Sequence, residues 1–247
     1  MKKILRIVLI AILGISFINT VKAQEKSSLE GKTILFVYGG WDGHDPKPCH
    51  DLLKPWMESE GAKVISSDSL GIYTNSTIME SVDLIVQCWT MGTITNEQEL
   101  GLLNAVRNGK SLVGWHGGLG DSFRNNTEYQ FMVGGQWVAH PDNVIDYDVN
   151  ITDHTDPVTA GIKDFHMHSE QYYVHYDPNV KVLATTTYKD NKAAPWINGR
   201  TIPVVWKTSY GKGKVFYSSL CHIVSDFEVP EALEIMKRGI RWAANAE

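Results

Sequence analysis

Three short runs of apolar, largely β-branched residues, separated by segments with helical periodicity, constrain the fold of this chain most. The runs cover residues 33–38, 83–89 and 111–115, and none of them alternates apolar with polar positions. Unbroken runs of this kind are typical of strands buried on both faces, as in a parallel sheet. Their alternation with helical segments predicts a doubly wound α/β fold, with a mostly parallel sheet flanked by helices.

The predicted helices have recognisable ends. Residues 49–60 stop at Gly61, and residues 95–108 open with Thr95 and Gln98 at the spacing of a capping box. Residues 229–244 carry apolar side chains at helical spacing, with Pro230 in the first turn. These three segments supply helices for both faces of the sheet.

The second half of the chain is richer in strands, predicted at residues 143–152, 181–187, 203–208 and 214–218. The turn Gly211-Lys212-Gly213 joins the last two closely. We therefore expect an added antiparallel hairpin beside the parallel strands.

The N-terminus has the layout of a secretory signal peptide over residues 1–23. Three basic residues precede an apolar run over 7–18, and Val21-Lys22-Ala23 forms a small-x-small cleavage pattern. The run is shorter than the roughly 20 residues that span a membrane. We expect a periplasmic or secreted protein without membrane association after cleavage. Residues 24–31 are then a polar lead-in, and residues 32–247 form a single domain.

Charge and cysteine content exclude some classes of protein. The formal net charge is −5 and no basic stripe is present, which argues against nucleic acid as a partner. The three cysteines are an odd number, so an exported form keeps at least one free thiol and a disulfide framework is not indicated.

Four histidines follow predicted strands or lie in glycine-rich segments, namely His44, His116, His140 and His222. In open α/β sheets, sites form at the carboxyl ends of strands. Any one of these could be an ordinary loop histidine, but together they predict a shared site.

His116 lies in the segment Gly114-Trp115-His116-Gly117-Gly118, which has the form of a nucleophile elbow. Glycines allow a strained strand-to-helix turn that directs one side chain into the site. Histidine can act there as a general base, a metal ligand or, less often, a nucleophile. It cannot perform thiolate chemistry.

Glu170 is the leading carboxylate. If residues 165–173 are extended, Glu170 shares one face with His166, His168 and Tyr172. A carboxylate beside histidines can orient an imidazole, bind a metal or remove a proton. The alternative is a solvated edge strand.

Aromatic residues accompany these groups. Trp41, Trp115, Trp137 and Tyr172 could pack against a sugar ring, and Asp42 could bind its hydroxyls. Many such tryptophans are simply part of a core.

These residues give the chain a resemblance to the ThuA (trehalose utilisation) family, from about residue 32 to residue 244. The matching segments, in order, are 39–44, 114–118, 134–141, 156–161, 169–172 and 210–217, followed by His222. Two positions depart from the family pattern, which more often has an acidic residue at Ser169 and glycine at Cys221. The resemblance implies a class I glutamine-amidotransferase-like or flavodoxin-like fold. It also implies a link to carbohydrate utilisation, often of disaccharides and their 3-keto forms.

Because His116 stands where an amidotransferase has its cysteine, glutaminase chemistry is not expected. Three functions stay open. The first is an enzyme acting on a disaccharide, glycoside or keto-sugar by acid–base chemistry, with His44, His116 and Glu170 catalytic. The second is a metal-dependent hydrolase or isomerase, with a divalent metal such as zinc on His116, His140 and His222. The third is a non-catalytic sugar-binding protein. The partner in each case is a small carbohydrate, and assembly into a homo-oligomer is left open.

Overall fold

The structure is a computed structural model that describes residues 29–245. The predicted signal peptide and residues 24–28 of the lead-in lie outside the described residues. Leu29, at the end of the predicted lead-in, is completely buried in the core. Core packing therefore includes at least one residue that precedes Lys32.

Eleven strands are described. They are β1 (Thr33–Gly40), β2 (Lys63–Ser67), β3 (Leu84–Thr90), β4 (Ser111–Trp115), β5 (Gly135–Ala139), β6 (Val144–Ile151), β7 (Phe165–Glu170), β8 (Tyr173–Tyr176), β9 (Lys181–Thr187), β10 (Thr201–Tyr210) and β11 (Gly213–Ser218). Nine of them form one sheet in the order β2-β1-β3-β4-β11-β10-β9-β6-β7.

The sheet changes character at β11. Strands β2, β1, β3, β4 and β11 run parallel, whereas β11, β10, β9, β6 and β7 pair antiparallel. This arrangement confirms the predicted α/β fold with a parallel half and an added hairpin formed by β10 and β11.

The helices are α1 (Pro46–Ser59), α2 (Ser76–Ser81), α3 (Asn96–Arg107), α4 (His116–Gly120), α5 (Thr127–Val133) and α6 (Pro230–Ala244). Thr95 and Gln98 form the predicted capping box of α3. One hydrophobic core holds side chains of α1 and α6, and a second holds side chains of α2, α3 and α5. Helices therefore cover both faces, as the doubly wound pattern predicts.

Some strands carry little sequence signal. The glycine-rich segment before His140 was not among the predicted strands, but β5 pairs there with β8 in a separate two-stranded sheet. Its residues are only partly buried, so apolar periodicity is weak. Likewise β2, at the edge of the main sheet, has a mixed burial pattern.

The described cysteines are all buried and none forms a disulfide. Within residues 29–245, no helix has the length and apolar character needed to cross a membrane.

Candidate functional site

Four parallel strands end at one edge of the sheet and each delivers a polar side chain there. A short 3-10 helix, Asp42–His44, follows β1, and Thr90 is the last residue of β3. His116 follows β4 directly, and His222 lies four residues beyond the end of β11.

The turn from β4 into α4 is strained in the manner of a nucleophile elbow. His116 has a φ of 45°, a left-handed conformation that non-glycine residues rarely adopt. The glycines after it leave room for close approach, because a Cβ on Gly117 would overlap the His44 ring and one on Gly118 would lie 2.8 Å from the Cys88 backbone. The His116 side chain is consequently held in the site and is 1% exposed.

Three imidazoles lie against one another at this edge. Ring centroids are 4.7 Å apart for His44 and His116, 4.9 Å for His44 and His222, and 5.2 Å for His116 and His222. The sheet topology thus joins side chains that are up to 178 positions apart in the sequence.

Two further groups reach the cluster from outside the parallel strands. Glu170 is the last residue of β7 and pairs in register with Val144 of β6. Its Oε2 lies 3.5 Å from His116 Nε2 and 3.4 Å from His222 Nδ1. His140, just after β5, places Nδ1 3.7 Å from the other oxygen, Oε1.

The contacts among these groups are close but are not hydrogen bonds. Glu170 Oε2, both ring nitrogens of His116, and the Nδ1 atoms of His140 and His222 are buried without a hydrogen-bond partner in residues 29–245. Buried polar atoms are nearly always paired, so an orphaned cluster calls for an explanation such as a bound ion.

Burial sets the protonation of the cluster. Desolvation, aided by His222 and His140, lowers the pKa of His44 to about 3. Burial also lowers the pKa of His116 well below its usual value, and the pKa values of His140 and His222 fall as well. The imidazoles are therefore neutral at pH 7, which is the form that binds metals. Burial, with Asp226 and Asp121, raises the pKa of Glu170 to about 7.

The donor atoms fit a tetrahedral metal ion. One ligand atom each from His44, His116, His222 and Glu170 lies within 4.8 Å of the others. Zinc bonds of about 2.1 Å in tetrahedral geometry place ligand atoms about 3.4 Å apart. The distances of 3.5 and 3.4 Å from Glu170 Oε2 match that edge.

The four-residue group differs from the ligand set expected from sequence. It contains His44 and Glu170 beside His116 and His222, whereas His140 is not in the group and lies 3.7 Å from the other oxygen of Glu170. Sequence spacing could not show which histidines belong to one ligand set, because the distance of His140 from the others depends on how β5 packs.

Partners behind the cluster orient its members. His44 Nδ1 shares a 2.8 Å hydrogen bond with Thr90 Oγ1, which leaves Nε2 for the cluster. Asp226 Oδ2 accepts from the His222 backbone N–H at 2.8 Å and from Ser169 Oγ at 2.5 Å. Neither partner was predicted from the sequence. Thr90 had a usable signal, since it directly follows the predicted strand 83–89, but Asp226 had none.

The predicted sugar-binding aromatics lie in different environments. Trp41 is 46% exposed and its ring contacts His44 edge-on at 4.7 Å. Trp137 lies beside His140, with ring centroids 5.7 Å apart. Asp42 is exposed in the turn that precedes His44.

Trp115 and Tyr172, also predicted to bind sugar, are buried. Trp115 is 1% exposed and packs edge-on against Phe36 and Phe227 in the hydrophobic core. It lies in a fully buried strand. Tyr172 is 2% exposed and its ring lies 3.8 Å from that of His116.

Comparison with known proteins agrees with this architecture. The sequence model of the ThuA family, described as trehalose utilisation, matches residues 33–243. A ThuA-like protein from Bacteroides uniformis is 16% identical, with a TM-score of 0.71 over 86% of this chain and 91% of that chain. A ThuA-like protein from Parabacteroides merdae is 19% identical, with a TM-score of 0.67 over 87% of this chain and 90% of that chain. No curated protein matches the chain.

Proposed function

The chain belongs to the ThuA family, the trehalose-utilisation proteins, and we propose that it is a sugar-modifying enzyme with a divalent metal centre. The ligands are His44, His116, His222 and Glu170, and the metal is zinc. The substrate is a disaccharide, glycoside or keto-sugar, and the reaction is a hydrolysis, elimination or isomerisation.

The orphaned donors carry this proposal. Neutral imidazoles and one carboxylate place ligand atoms within 4.8 Å of one another. Among the described residues, 29–245, no hydrogen bond satisfies the buried nitrogens of His116 or Oε2 of Glu170. Three histidines and a carboxylate are ligands that zinc prefers. Thr90 supplies the kind of outer contact that orients a metal-binding imidazole, and Asp226 fixes the backbone at His222.

When bound, such an ion polarises a carbonyl or hydroxyl oxygen and lowers the pKa of coordinated water. The residues of the chain hold the site dry and in place. His140 lies next to the cage and is neutral, so its Nδ1 can hydrogen-bond a substrate hydroxyl or take its proton. Trp41 offers an exposed aromatic face at the rim.

Metal analysis tests the centre. We expect mature protein purified without chelator, or reconstituted with zinc, to hold one ion per chain. His116→Ala and Glu170→Gln should lose it, because each removes one of four ligands. His168→Ala is the matched control, since His168 is exposed on the same strand as Glu170. Failure of the wild type to hold zinc at one equivalent would contradict the proposal.

A metal-free reaction is the second candidate, because the pKa of Glu170 at about 7 suits a general acid or base. Turnover of disaccharides and keto-sugars, followed by NMR, separates the two. On the metal hypothesis, chelation abolishes turnover and zinc restores it. Full turnover after chelation, together with a loss of at least 10²-fold in Glu170→Gln, would favour acid–base chemistry alone. Binding of sugars without any conversion would identify a sugar-binding protein.

The proposal includes export. The order of basic, apolar and small residues in positions 1–23 supports processing and delivery to the periplasm or the medium. The enzyme would then meet glycosides outside the cytoplasm.

A further inference from the structure

Arg124 is fixed beside the cluster by two sets of contacts. Its guanidinium lies 4.2 Å from the centroid of the Trp137 ring. Nε and Nη2 donate to the two carboxylate oxygens of Asp121, at 2.5 and 2.8 Å. Asp121 is 4% exposed, whereas the Arg124 side chain is 48% exposed. The arginine is therefore held at a surface by a buried partner.

Arg124 and Trp137 form a wall beside the cluster. On this wall, two hydrogen-bond donors have no partner in the described part of the chain. Trp137 Nε1 is buried and unbonded, and its ring lies 5.7 Å from His140 and 6.2 Å from Tyr172. Arg124 uses two of its three nitrogens on Asp121, and no hydrogen bond involves Nη1 in residues 29–245. Arg124 also borders an open cleft with Met91, Phe123 and Asn125, so a ligand in that cleft can reach the guanidinium; Trp137 does not line the cleft.

The charges decide what kind of ligand this wall can bind. Asp121 neutralises the guanidinium, so the pair offers N–H donors without net positive charge. A phosphate or carboxylate would lose its hydration on entering a site that has no uncompensated cation. This desolvation costs free energy. A hydroxyl or carbonyl oxygen has no such cost and can accept a hydrogen bond from a donor of either kind.

We propose that Arg124 and Trp137 form a specificity subsite that binds uncharged oxygens of the sugar, so that the enzyme selects neutral sugars over sugar phosphates and sugar acids. The inference rests on the proposed function, because the subsite matters only if the neighbouring cluster binds a sugar. Arg124 acts on binding and has no part in holding the metal.

Matched pairs of probes test the selection. Zinc-loaded mature protein is titrated with trehalose and trehalose 6-phosphate, and with glucose, glucose 6-phosphate and glucuronate. We expect at least one neutral probe to bind at least 10-fold more tightly than its charged counterpart. Arg124→Lys should weaken the neutral probe at least 10-fold, because lysine lacks the planar fork that contacts Asp121 and Trp137, and zinc content should stay at one per chain.

Arg107→Lys is the matched control. Arg107 also contacts an aromatic ring, that of Tyr210, but it ends α3 on the side where β4 begins, away from the cluster. Its variant should bind both kinds of probe as the wild type does. Asp121→Asn leaves the guanidinium charge uncompensated and should shift preference toward the phosphates at least 10-fold. If Asp121→Asn does not fold, the Arg124→Lys titration still decides.

The outcomes separate this inference from the proposed function. Equal or tighter binding of charged probes to the wild type, or unchanged affinity in Arg124→Lys, overturns the subsite even when zinc is bound. Binding of zinc with no affinity for any neutral probe also overturns it and leaves the metal centre standing. Arg124-dependent binding of a neutral sugar to protein that holds no zinc would support the subsite and overturn the metal centre.

Discussion

At the scale of single residues, the site depends on how each imidazole presents one nitrogen. His44 illustrates this, because Thr90 Oγ1 engages Nδ1 and thereby directs Nε2 to the cluster. Metal-binding histidines usually have such a partner, and its loss costs metal affinity. The arrangement gives Thr90 a role that its place at the end of a buried strand does not reveal.

We expect Thr90→Val to weaken zinc binding by about 10- to 100-fold, since it preserves shape but removes the hydroxyl that orients His44. Competition with a chromogenic chelator measures the affinity. Thr201→Val is the control, because Thr201 is exposed and its hydroxyl hydrogen-bonds the Thr187 hydroxyl on the neighbouring strand, away from the histidines. Equal affinities in all three proteins would show that His44 does not need its partner.

At the scale of elements, the β4–α4 turn places His116, and its glycines are required by sterics. Gly117 lies against the His44 ring and Gly118 against the Cys88 backbone. A left-handed His116 between a strand and a helix stores backbone strain, which proteins retain mainly at functional sites.

Gly117→Ala should displace the His44 ring and abolish zinc binding, because the added methyl group occupies space that the imidazole fills. Zinc stoichiometry and thermal unfolding report the effect. Gly71→Ala is the control, since a Cβ there meets only the Ser69 hydroxyl at 3.3 Å. Retention of one zinc ion by Gly117→Ala would show that the turn tolerates a side chain.

A second element-scale contact ties the loop after β6 to the antiparallel strands. Asp156 is 4% exposed and accepts hydrogen bonds from Lys207 of β10 at 2.6 Å and Lys181 of β9 at 2.8 Å. Burial opposes ionisation, but the two ammonium groups outweigh it and lower the pKa of Asp156. The carboxylate therefore stabilises the folded chain above the ordinary aspartate pKa, and that stability is lost as pH falls below it.

Asp156→Asn should lower the free energy of unfolding by about 3 kcal/mol at pH 7, because it removes the negative charge opposite a buried lysine. The gap to the wild type should narrow as pH falls below about 3.9, the ordinary aspartate value. There the unfolded wild-type chain takes up a proton on Asp156, which the folded chain, with its lowered pKa, takes up only at lower pH. Urea unfolding at several pH values measures it. Asp51→Asn, in an exposed pair with Lys47, should change little. A pH-independent gap would contradict the electrostatic explanation.

At the scale of the whole molecule, the polypeptide places one site where a parallel half-sheet meets an antiparallel one. Helix α6 and strand β11 bring His222 from the C-terminal part of the chain to the histidines of the N-terminal part. Strand β7, in the antiparallel half, places Glu170 beside His116 at the same edge of the sheet. Neither half contains a complete set of donors.

Export is a prediction at the scale of the whole chain. We expect cleavage between Ala23 and Gln24, because small residues at positions 21 and 23 suit signal peptidase. Mass spectrometry of protein from the periplasm or medium should find Gln24 at the N-terminus, and Ala23→Arg should block processing. An intact Met1 on protein confined to the cytoplasm would contradict this prediction.

The sequence by itself determined the framework. Unbroken apolar runs specified the parallel strands, because only strands covered on both faces tolerate them, and the glycines around His116 marked the elbow. It also identified five polar residues that the structure brings together, namely His44, His116, His140, Glu170 and His222. Local patterns carry this information because burial and backbone strain act over a few residues.

Only the tertiary structure decided which of those residues form the cage and which aromatics face it. The order of β11, β10, β9, β6 and β7 places Glu170 Oε2 between His116 and His222 and leaves His140 beside Oε1. It also buries Trp115 and leaves Trp41 exposed. The contacts of Arg124, Asp226 and Thr90 with residues of the site likewise depend on the tertiary structure. Distances between residues remote in sequence depend on strand order and register, which short-range patterns do not encode.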